Sequence, residues 1–218
     1  MPTATIAAPK TKLGSLGALA LAGPLWAVVA LTQAATRDGF DLTPHPHSKL
    51  STGSHGWLQI TNFVVAGILA ILGARGIGRA TGSKWAPPLV TTYGVGYVLA
   101  GVFVLDAGDG FPAGTPLDAP ATISWHAIAH LLAGTIAFAA LTAALFVLGR
   151  YFARSGEGAW AWTARAGAAA VIGADGASMA GVPAASAVLA TGVIAAMLIL
   201  SLMAAKLGRP ARGVRRGA

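Results

Sequence analysis

The stretch Trp125-His-Ala-Ile-Ala-His130, which apolar residues continue as far as Gly149, is the part of the sequence that decides the fold. The run is closed by Arg150 and is long enough to span a bilayer as one α-helix, which takes roughly 20 apolar residues. Its two histidines are four residues apart, so they project from the same face of the helix. Ionisable groups inside a span are costly and usually face the interior of a bundle or a cavity. We therefore expect the rest of the chain to surround this pair.

The composition is that of an integral membrane protein with one domain. Of the 218 residues, 55 % are apolar and only 10 % are charged, whereas soluble domains carry about 25 % charged residues. The net charge of +8 does not indicate binding to nucleic acid, because the basic residues recur between apolar runs, as membrane topology requires. The chain has no cysteine, which excludes disulfides and Cys-ligated zinc.

Further apolar runs predict an all-α, polytopic membrane protein with six transmembrane helices in one bundle. The predicted helices are residues 13–36, 57–74, 85–105, 125–149, 160–178 and 184–205. Together they form a transmembrane domain over residues 13–205. A disordered cytoplasmic leader, residues 1–12, precedes this domain, and a basic cytoplasmic tail, residues 206–218, follows it.

Two of these helices carry features that constrain how they pack. Glycines at positions 94, 96 and 101 in the third helix are expected to let neighbouring backbones approach closely. In the fifth helix only nine uncharged residues separate Arg165 from Asp175. That span is long enough only if the Arg165 side chain extends to one membrane surface and Asp175 lies near the other.

The distribution of charge between the helices predicts the orientation. Basic residues collect on one side of the six-helix arrangement, and six of the seven acidic residues collect on the other. The basic set is Lys10, Lys12, Arg75, Arg79, Lys84, Arg150, Arg154 and the five Lys and Arg residues of the C-terminal tail. By the positive-inside rule both termini are cytoplasmic, and the protein lies in the cytoplasmic membrane.

All five histidines then fall on the outer side, where the polar groups of the bundle concentrate. His126 and His130 begin the fourth helix, and Asp106 ends the third helix at a similar depth. Gln59 and Asn62 lie in the same outer layer on the second helix. We expect these side chains to form a polar site open to the outer face.

Two loop histidines, His45 and His47, alternate with prolines in a polar connection rich in turn formers. The prolines favour extended backbone in the residues before them. Paired histidines in such a loop are more often solvated turn residues than ligands. We expect both to be exposed to water.

The trio Asp106, His126 and His130 permits three interpretations. Histidines at positions i and i+4 have the spacing that places two imidazoles on one metal ion, and an aspartate at the same depth supplies a third ligand. A divalent metal such as zinc would then activate water for hydrolysis of a lipid ester or amide. The alternatives are a site for a ligand or proton without metal, and a purely structural cluster that pins two helices together. No Glu lies between the histidines, in contrast to the helix of zinc proteases.

Several polar motifs of the first four helices occur together in a known family. They are Thr36-Arg-Asp-Gly-Phe-Asp41, His47-Ser-Lys-Leu50, Gly56-Trp-Leu-Gln-Ile-Thr-Asn-Phe63, Gly101-Val-Phe-Val-Leu-Asp106 and Trp125-His-Ala-Ile-Ala-His-Leu-Leu-Ala-Gly134. By these motifs residues 13–150 resemble a bacterial membrane family known as domain of unknown function 998. The resemblance implies a six-helix architecture and no established activity. It also implies that the family's characteristic polar positions are Arg37, Asp41, Ser48, Asp106, His126 and His130.

These observations leave three functions open. The first is binding of a lipid or small molecule at an outer-leaflet site that includes Arg37, Asp41, Ser48, Gln59 and Asn62 together with the Asp106 trio. The second is a metal-dependent intramembrane hydrolase acting on a lipid. The third is a structural or accessory membrane protein without chemistry at the site. The expected partners are the bilayer and such a ligand, and no nucleic acid.

Overall fold

The computed structural model describes residues 14–209. The predicted leader and the last nine residues of the predicted tail therefore lie outside the described residues. Within the described range the chain forms six α-helices and one 3₁₀ helix. They are α1 (Ser15–Thr36), the 3₁₀ helix (His47–Ser51), α2 (Gly56–Thr81), α3 (Ala86–Val102), α4 (Trp125–Arg154), α5 (Gly158–Met179) and α6 (Ala185–Leu207). The prediction of an all-α bundle is confirmed.

The six helices form a closed ring. Each helix packs against its neighbours in the chain, and α6 packs back against α1. By length and hydropathy α1, α2, α4 and α6 are each able to cross a membrane. The helix α3 has 17 residues, about 26 Å by helical rise, and α5 carries Arg165 and Asp175; both complete the same bundle.

Some helices extend beyond the predicted bounds. The prediction ended the second helix at residue 74, but α2 continues through Arg75 and Arg79, which are exposed on its surface. It ends at Thr81, directly before Gly82, whose positive φ of 65° is readily available only to glycine. The helix α4 likewise continues to Arg154 and α6 to Leu207, so Lys206 lies in α6 and not in a tail.

Glycine contacts hold α3 between its two neighbours. A Cβ added at Gly94 would lie 2.6 Å from the Gly67 carbonyl oxygen of α2, and one added at Gly96 would lie 2.8 Å from the Ala133 carbonyl oxygen of α4. Only a residue without a side chain permits such close approach of two helix backbones. The prediction that these glycines bring helices together is confirmed, and so is the adjacency of α3 and α4.

The ring closes at a serine hydroxyl inserted into the backbone of α1. Ser201 of α6 accepts a hydrogen bond from the Gly23 N–H (3.0 Å) and donates one to the Leu19 carbonyl (2.9 Å). These two backbone groups are four residues apart and would normally bond to each other in an α-helix. The insertion lies next to Pro24, whose own missing N–H already weakens this turn of α1.

The charges of α5 do not pair with each other. The Arg165 guanidinium lies over the Trp162 ring, 4.8 Å from its centroid, and Asp175 is ten residues further along, about 15 Å by helical rise. Glu157, which precedes α5, forms an ion pair with Lys206 at the end of α6. This pair ties together the ends of the two helices.

Candidate functional site

The connection between α1 and α2 descends into the bundle instead of lying on its surface. The His47 ring of the 3₁₀ helix lies 5.5 Å from the ring of Trp26, a residue that is ten positions, or about 15 Å by helical rise, before the end of α1. His45 is 3 % exposed and His47 is 5 % exposed. The expectation that these histidines are solvated is therefore wrong. Residues 45–51 form a buried plug in the end of the bundle.

Arg37 holds this plug from the α1 side. Its guanidinium donates to the carbonyls of Leu50 and Thr52, the latter at 2.7 Å, and lies over the Phe111 ring, 4.7 Å from the ring centroid. A guanidinium presents several donors in a fixed plane, which suits two carbonyls held by one turn of chain. Arg37, which the family resemblance implied as a site residue, therefore positions the plug and does not reach the interior.

The connection between α3 and α4 holds the plug from the other side. Lys49 donates to the Gly108 carbonyl (2.8 Å) and forms an ion pair with Asp109. The Nε2 atom of His45 lies 2.7 Å from the Asp109 carbonyl oxygen, and its Nδ1 accepts from the Asp41 N–H at 3.0 Å. His45 is thus protonated on Nε2 and joins the two connections.

Asp41 makes a local turn. Its carboxylate accepts from the Thr43 N–H at 2.8 Å, and hydrogen bonds from the Thr43 backbone and side chain lower the pKa of this exposed carboxyl. It shapes the entry to the plug and has no contact with the interior.

Gln59 and Asn62 lie in a buried amide cluster between α1 and α2. The Gln59 side-chain oxygen accepts from Gln33 Nε2 at 2.9 Å, and Asn62 Nδ2 donates to the Trp26 carbonyl at 3.1 Å. Bonds between polar side chains across helices hold membrane bundles together. These two predicted site residues therefore act in the α1–α2 contact.

Asp106 and His126 lie at the end of the bundle. The Asp106 carboxylate accepts from the Ser124 N–H at 2.8 Å, and Ser124 in turn caps the start of α4 through the Ala127 N–H. Hydrogen bonds from the Ser124 side chain and backbone lower the pKa of Asp106. The exposed ring of His126 stacks on Trp125, with 3.7 Å between centroids.

His130, one turn deeper than His126, is buried against the end of α3. Its Nδ1 lies 3.0 Å from the Ala100 carbonyl oxygen and 2.7 Å from that of Phe103. Both partners are acceptors, so Nδ1 carries the proton and caps carbonyls that the end of α3 leaves without helical partners. In the neutral imidazole, Nε2 is then an acceptor with no hydrogen bond to the described residues.

The structure does not join Asp106, His126 and His130 into one unit. Each makes separate contacts, and residues 14–209 contain no group of three or more His, Cys, Asp or Glu placed to hold a metal ion. The expected zinc ligand set is not assembled. The physical reason is that α3 ends at Val102, so its last carbonyls meet His130 and nothing of α3 continues up to His126.

A narrow cavity lies beneath the plug, in the centre of the ring. Its volume is about 60 Å³. On the same measure of volume, one water molecule needs roughly 10–15 Å³. Aromatic and aliphatic side chains make most of the wall. The lining residues are Trp26, Pro46, His47, Ser48, Phe63, Tyr97, Ala100, His130, Gly134, Phe138, Ser186, Leu189, Ala190 and Val193.

The mouth of the cavity lies between α4 and α6. The partly exposed lining residues are Pro46 and Ser48 of the plug, Gly134 and Phe138 of α4, and Ser186 and Leu189 of α6. The helix α5 supplies no residue to the wall. Phe138 also lines an outer groove between α4 and α5 that contains Asp175. The cavity is therefore accessible from the side of the bundle.

Uncharged hydrogen-bonding groups project into this apolar space. The buried Nε2 of His47 has no hydrogen-bond partner, and burial lowers the pKa of His47 from the ordinary value of 6.5 to about 4. His47 is therefore neutral at physiological pH. The Tyr97 hydroxyl donates to the Met197 sulfur at 3.1 Å. Among residues 14–209, no Asp, Glu, Lys or Arg lines the cavity.

Of the predicted site residues, only Ser48 and His130 line the cavity. Trp26, His47 and Tyr97 were not among the predicted site residues. The signal for His47 lay in the His47-Ser-Lys-Leu50 motif itself, which belongs to the set of motifs that carries the family resemblance. For Trp26 and Tyr97 no local signal existed, since aromatic residues inside spans usually pack in the core.

Residues 20–207 match the family model described as Protein of unknown function (DUF998). The chain belongs to this family. The match includes α5 and α6, whereas the resemblance seen in the sequence covered residues 13–150. Searches of curated proteins and of solved structures gave no match. Membership therefore agrees with a membrane bundle and assigns no activity.

Proposed function

We propose that this DUF998 protein binds the uncharged polar end of a slim amphipathic molecule, such as a long-chain alcohol or another hydroxyl-bearing lipid, in the cavity beneath the plug. The observation that supports this function is the buried Nε2 atom of His47, which has no hydrogen-bond partner and belongs to a side chain that lines a mostly apolar cavity together with His130. A buried polar atom without a partner costs free energy, and a ligand hydroxyl that bonds to His47 Nε2 would remove this cost, with the His130 imidazole as a second polar group in the same wall.

The chemistry of the wall restricts the class of ligand. Because no charged side chain lines the cavity, a phosphate or carboxylate would be buried there without a counter-ion, which is strongly unfavourable. The narrow volume suits one hydrocarbon chain and not a bulky ring system. The mouth between α4 and α6 would let the rest of that chain remain among the membrane lipids.

The orientation belongs to the same proposal. The charge distribution supports a protein of the cytoplasmic membrane with both termini inside, because Arg75, Arg79, Arg150 and Arg154 lie at the opposite end of the helices from the plug. The cavity then lies in the outer half of the bundle. Its ligand is a lipid of the outer leaflet.

The test uses purified protein and a long-chain alcohol that carries a photoreactive diazirine. We expect crosslinks on α4 and α6 at the mouth of the cavity. Gly134→Leu should reduce them about tenfold, the effect of about 1.4 kcal/mol in binding, since a Cβ at Gly134 meets no atom within 4 Å and the added side chain fills the mouth. Gly176→Leu on α5 is the matched control, because its Cβ is equally free.

A second pair of variants tests the polar contact. His130→Phe should lower alcohol binding, whereas His126→Phe, on the same helix and exposed, should leave it unchanged. Equal labelling of all four variants, at the level of the parent protein, would contradict the proposal. The cavity would then be a packing defect in a structural or accessory protein.

A further inference from the structure

A basic cleft lies at the end of the bundle opposite the plug. It is formed where α2 ends, α3 begins and α4 ends, and its volume of about 690 Å³ far exceeds that of the central cavity. Three cationic side chains line it: Lys84, Arg150 and Arg154. The described residues that line the cleft include no Asp or Glu.

The three cations have no acidic partners in the described part of the chain. The two ion pairs in residues 14–209 are Lys49 with Asp109 and Lys206 with Glu157. Glu157 is the one acidic residue near this end of the bundle, and Lys206 already neutralises it. Residues 1–13 and 210–218 contain no Asp or Glu. The positive charge of the cleft is therefore available to an anion from outside the chain.

Hydrogen bonds fix the walls of the cleft. The Tyr151 hydroxyl of α4 donates to the Ala80 carbonyl of α2 at 3.4 Å, which ties the two walls together. The Ser83 hydroxyl accepts from the Ala86 N–H at 3.0 Å and so caps the start of α3. An oxygen that accepts in this way still has its own proton to donate. The cleft thus presents a fixed hydroxyl donor beside the three cations.

The remaining lining residues indicate where the anion comes from. Trp85 is 71 % exposed at the end of a span, the position where tryptophan commonly marks the level of the lipid headgroups. Val147 supplies an apolar surface one turn deeper on α4. A ligand that matches both parts has a phosphate at the headgroup level and hydrocarbon below it. We propose that this cleft binds the phosphate of an anionic phospholipid.

Two arginines of the same end make a control possible. Arg75 and Arg79 are exposed on α2 and fit the positive-inside rule as well as Arg150 and Arg154 do. Neither Arg75 nor Arg79 lines the cleft. If positive charge near the membrane were sufficient, both pairs of arginines would attract anionic lipid alike. If the phospholipid binds in the cleft, its retention depends on Arg150 and Arg154 in particular.

The test measures lipid retention by native mass spectrometry of the full chain released from nanodiscs of phosphatidylglycerol mixed with phosphatidylcholine. We expect selective retention of phosphatidylglycerol. The double variant Arg150→Gln/Arg154→Gln should lower it about tenfold or more, since each cation near a membrane surface contributes about 1 kcal/mol. Arg75→Gln/Arg79→Gln should change it less than about twofold, because those residues do not line the cleft and do not contact a lipid held in it.

Equal losses in the two double variants would overturn the site in favour of a diffuse surface charge. Should the cleft variant fail to fold, as judged by circular dichroism, Lys84→Gln in the α2–α3 turn replaces it, with an expected loss of about fivefold. A second experiment measures the binding of inorganic phosphate alone. Binding of phosphate at least as tight as that of the lipid would overturn the phospholipid and assign the cleft to a soluble phosphate compound.

Discussion

At the plug end of the bundle, Arg37 and Lys49 are satisfied within the chain, by the carbonyls of Leu50, Thr52 and Gly108 and by the Asp109 carboxylate. At the opposite end, the cations of the basic cleft reach no acidic group in the described residues. The same residue types therefore serve different purposes. Where they are buried and paired they build a closed structure from irregular chain, and where they have no acidic partner in the described residues their charge remains available to an external anion.

The largest loss of stability should come from breaking the ion pair between Lys49 and Asp109 at the plug end of the bundle. In Asp109→Asn the buried ammonium of Lys49 loses its counter-charge but keeps the Gly108 carbonyl. We expect the free energy of unfolding to fall by about 3 kcal/mol, the low end for a broken buried pair, because Asp109 itself is partly exposed. Reversible unfolding in SDS, followed by circular dichroism, measures this change.

The control for that variant is Asp118→Asn, on an exposed residue of the same connection, which should change the free energy of unfolding by less than about 0.5 kcal/mol. A loss of equal size in both variants would mean that Lys49 is not specifically dependent on Asp109.

An intermediate loss of stability should come from lowering the pH. Burial lowers the pKa of His47 to about 4, so the folded state binds a proton less readily than the unfolded state. Its contribution to stability is therefore complete above about pH 6.5 and is lost as the pH falls towards 4. Between pH 7.5 and pH 5 we expect a loss of about 2 kcal/mol that is specific to His47.

The difference between the parent protein and His47→Phe, measured by SDS unfolding at each pH, isolates this contribution. His126→Phe is the matched control, because it removes an exposed histidine. An identical pH dependence in the parent and in His47→Phe would show that His47 is solvated and that the plug does not descend.

The smallest effect should come from the ion pair at the other end. In Glu157→Gln the pair with Lys206 is lost, but both side chains are about a third exposed (29 % and 36 %), and Lys206 remains over the Trp160 ring at 5.4 Å. We expect a loss below about 1 kcal/mol. The same SDS assay applies, and a loss as large as that of Asp109→Asn would remove the distinction between the two ends.

The helices α1, α2, α4 and α6 were predictable because hydropathy marks a membrane span, and the predicted end of the first helix at Thr36 is its observed end. The predicted helix ends were wrong where a charged residue was taken to mark the end of a helix. Arg75 and Arg79 are good helix formers that tolerate an exposed surface, so α2 continued until Gly82. The glycines of α3 also predicted close helix packing, because a glycine inside a membrane span commonly marks a point where two helix backbones approach each other.

The site was predictable only in part, because its roof depends on contacts between distant residues. The loop that contains His45 and His47 has the composition of an exposed turn, and its burial rests on Arg37, Phe111 and Asp109. The two helix histidines illustrate the same limit. Their spacing placed them on one face, but the point where α3 stops decides that His130 is buried and His126 is not.

The hydroxyl of Ser201 within the backbone of α1 has a consequence for the order of synthesis. The first helix leaves the ribosome long before the last, yet the Leu19 carbonyl and the Gly23 N–H of α1 gain their bonds to the Ser201 hydroxyl only when α6 is in place. Inside a membrane, where water is absent, open backbone groups are costly. The earliest span thus gains two hydrogen bonds from the latest, and a chain that stops before residue 201 lacks this contact between its first and last helices.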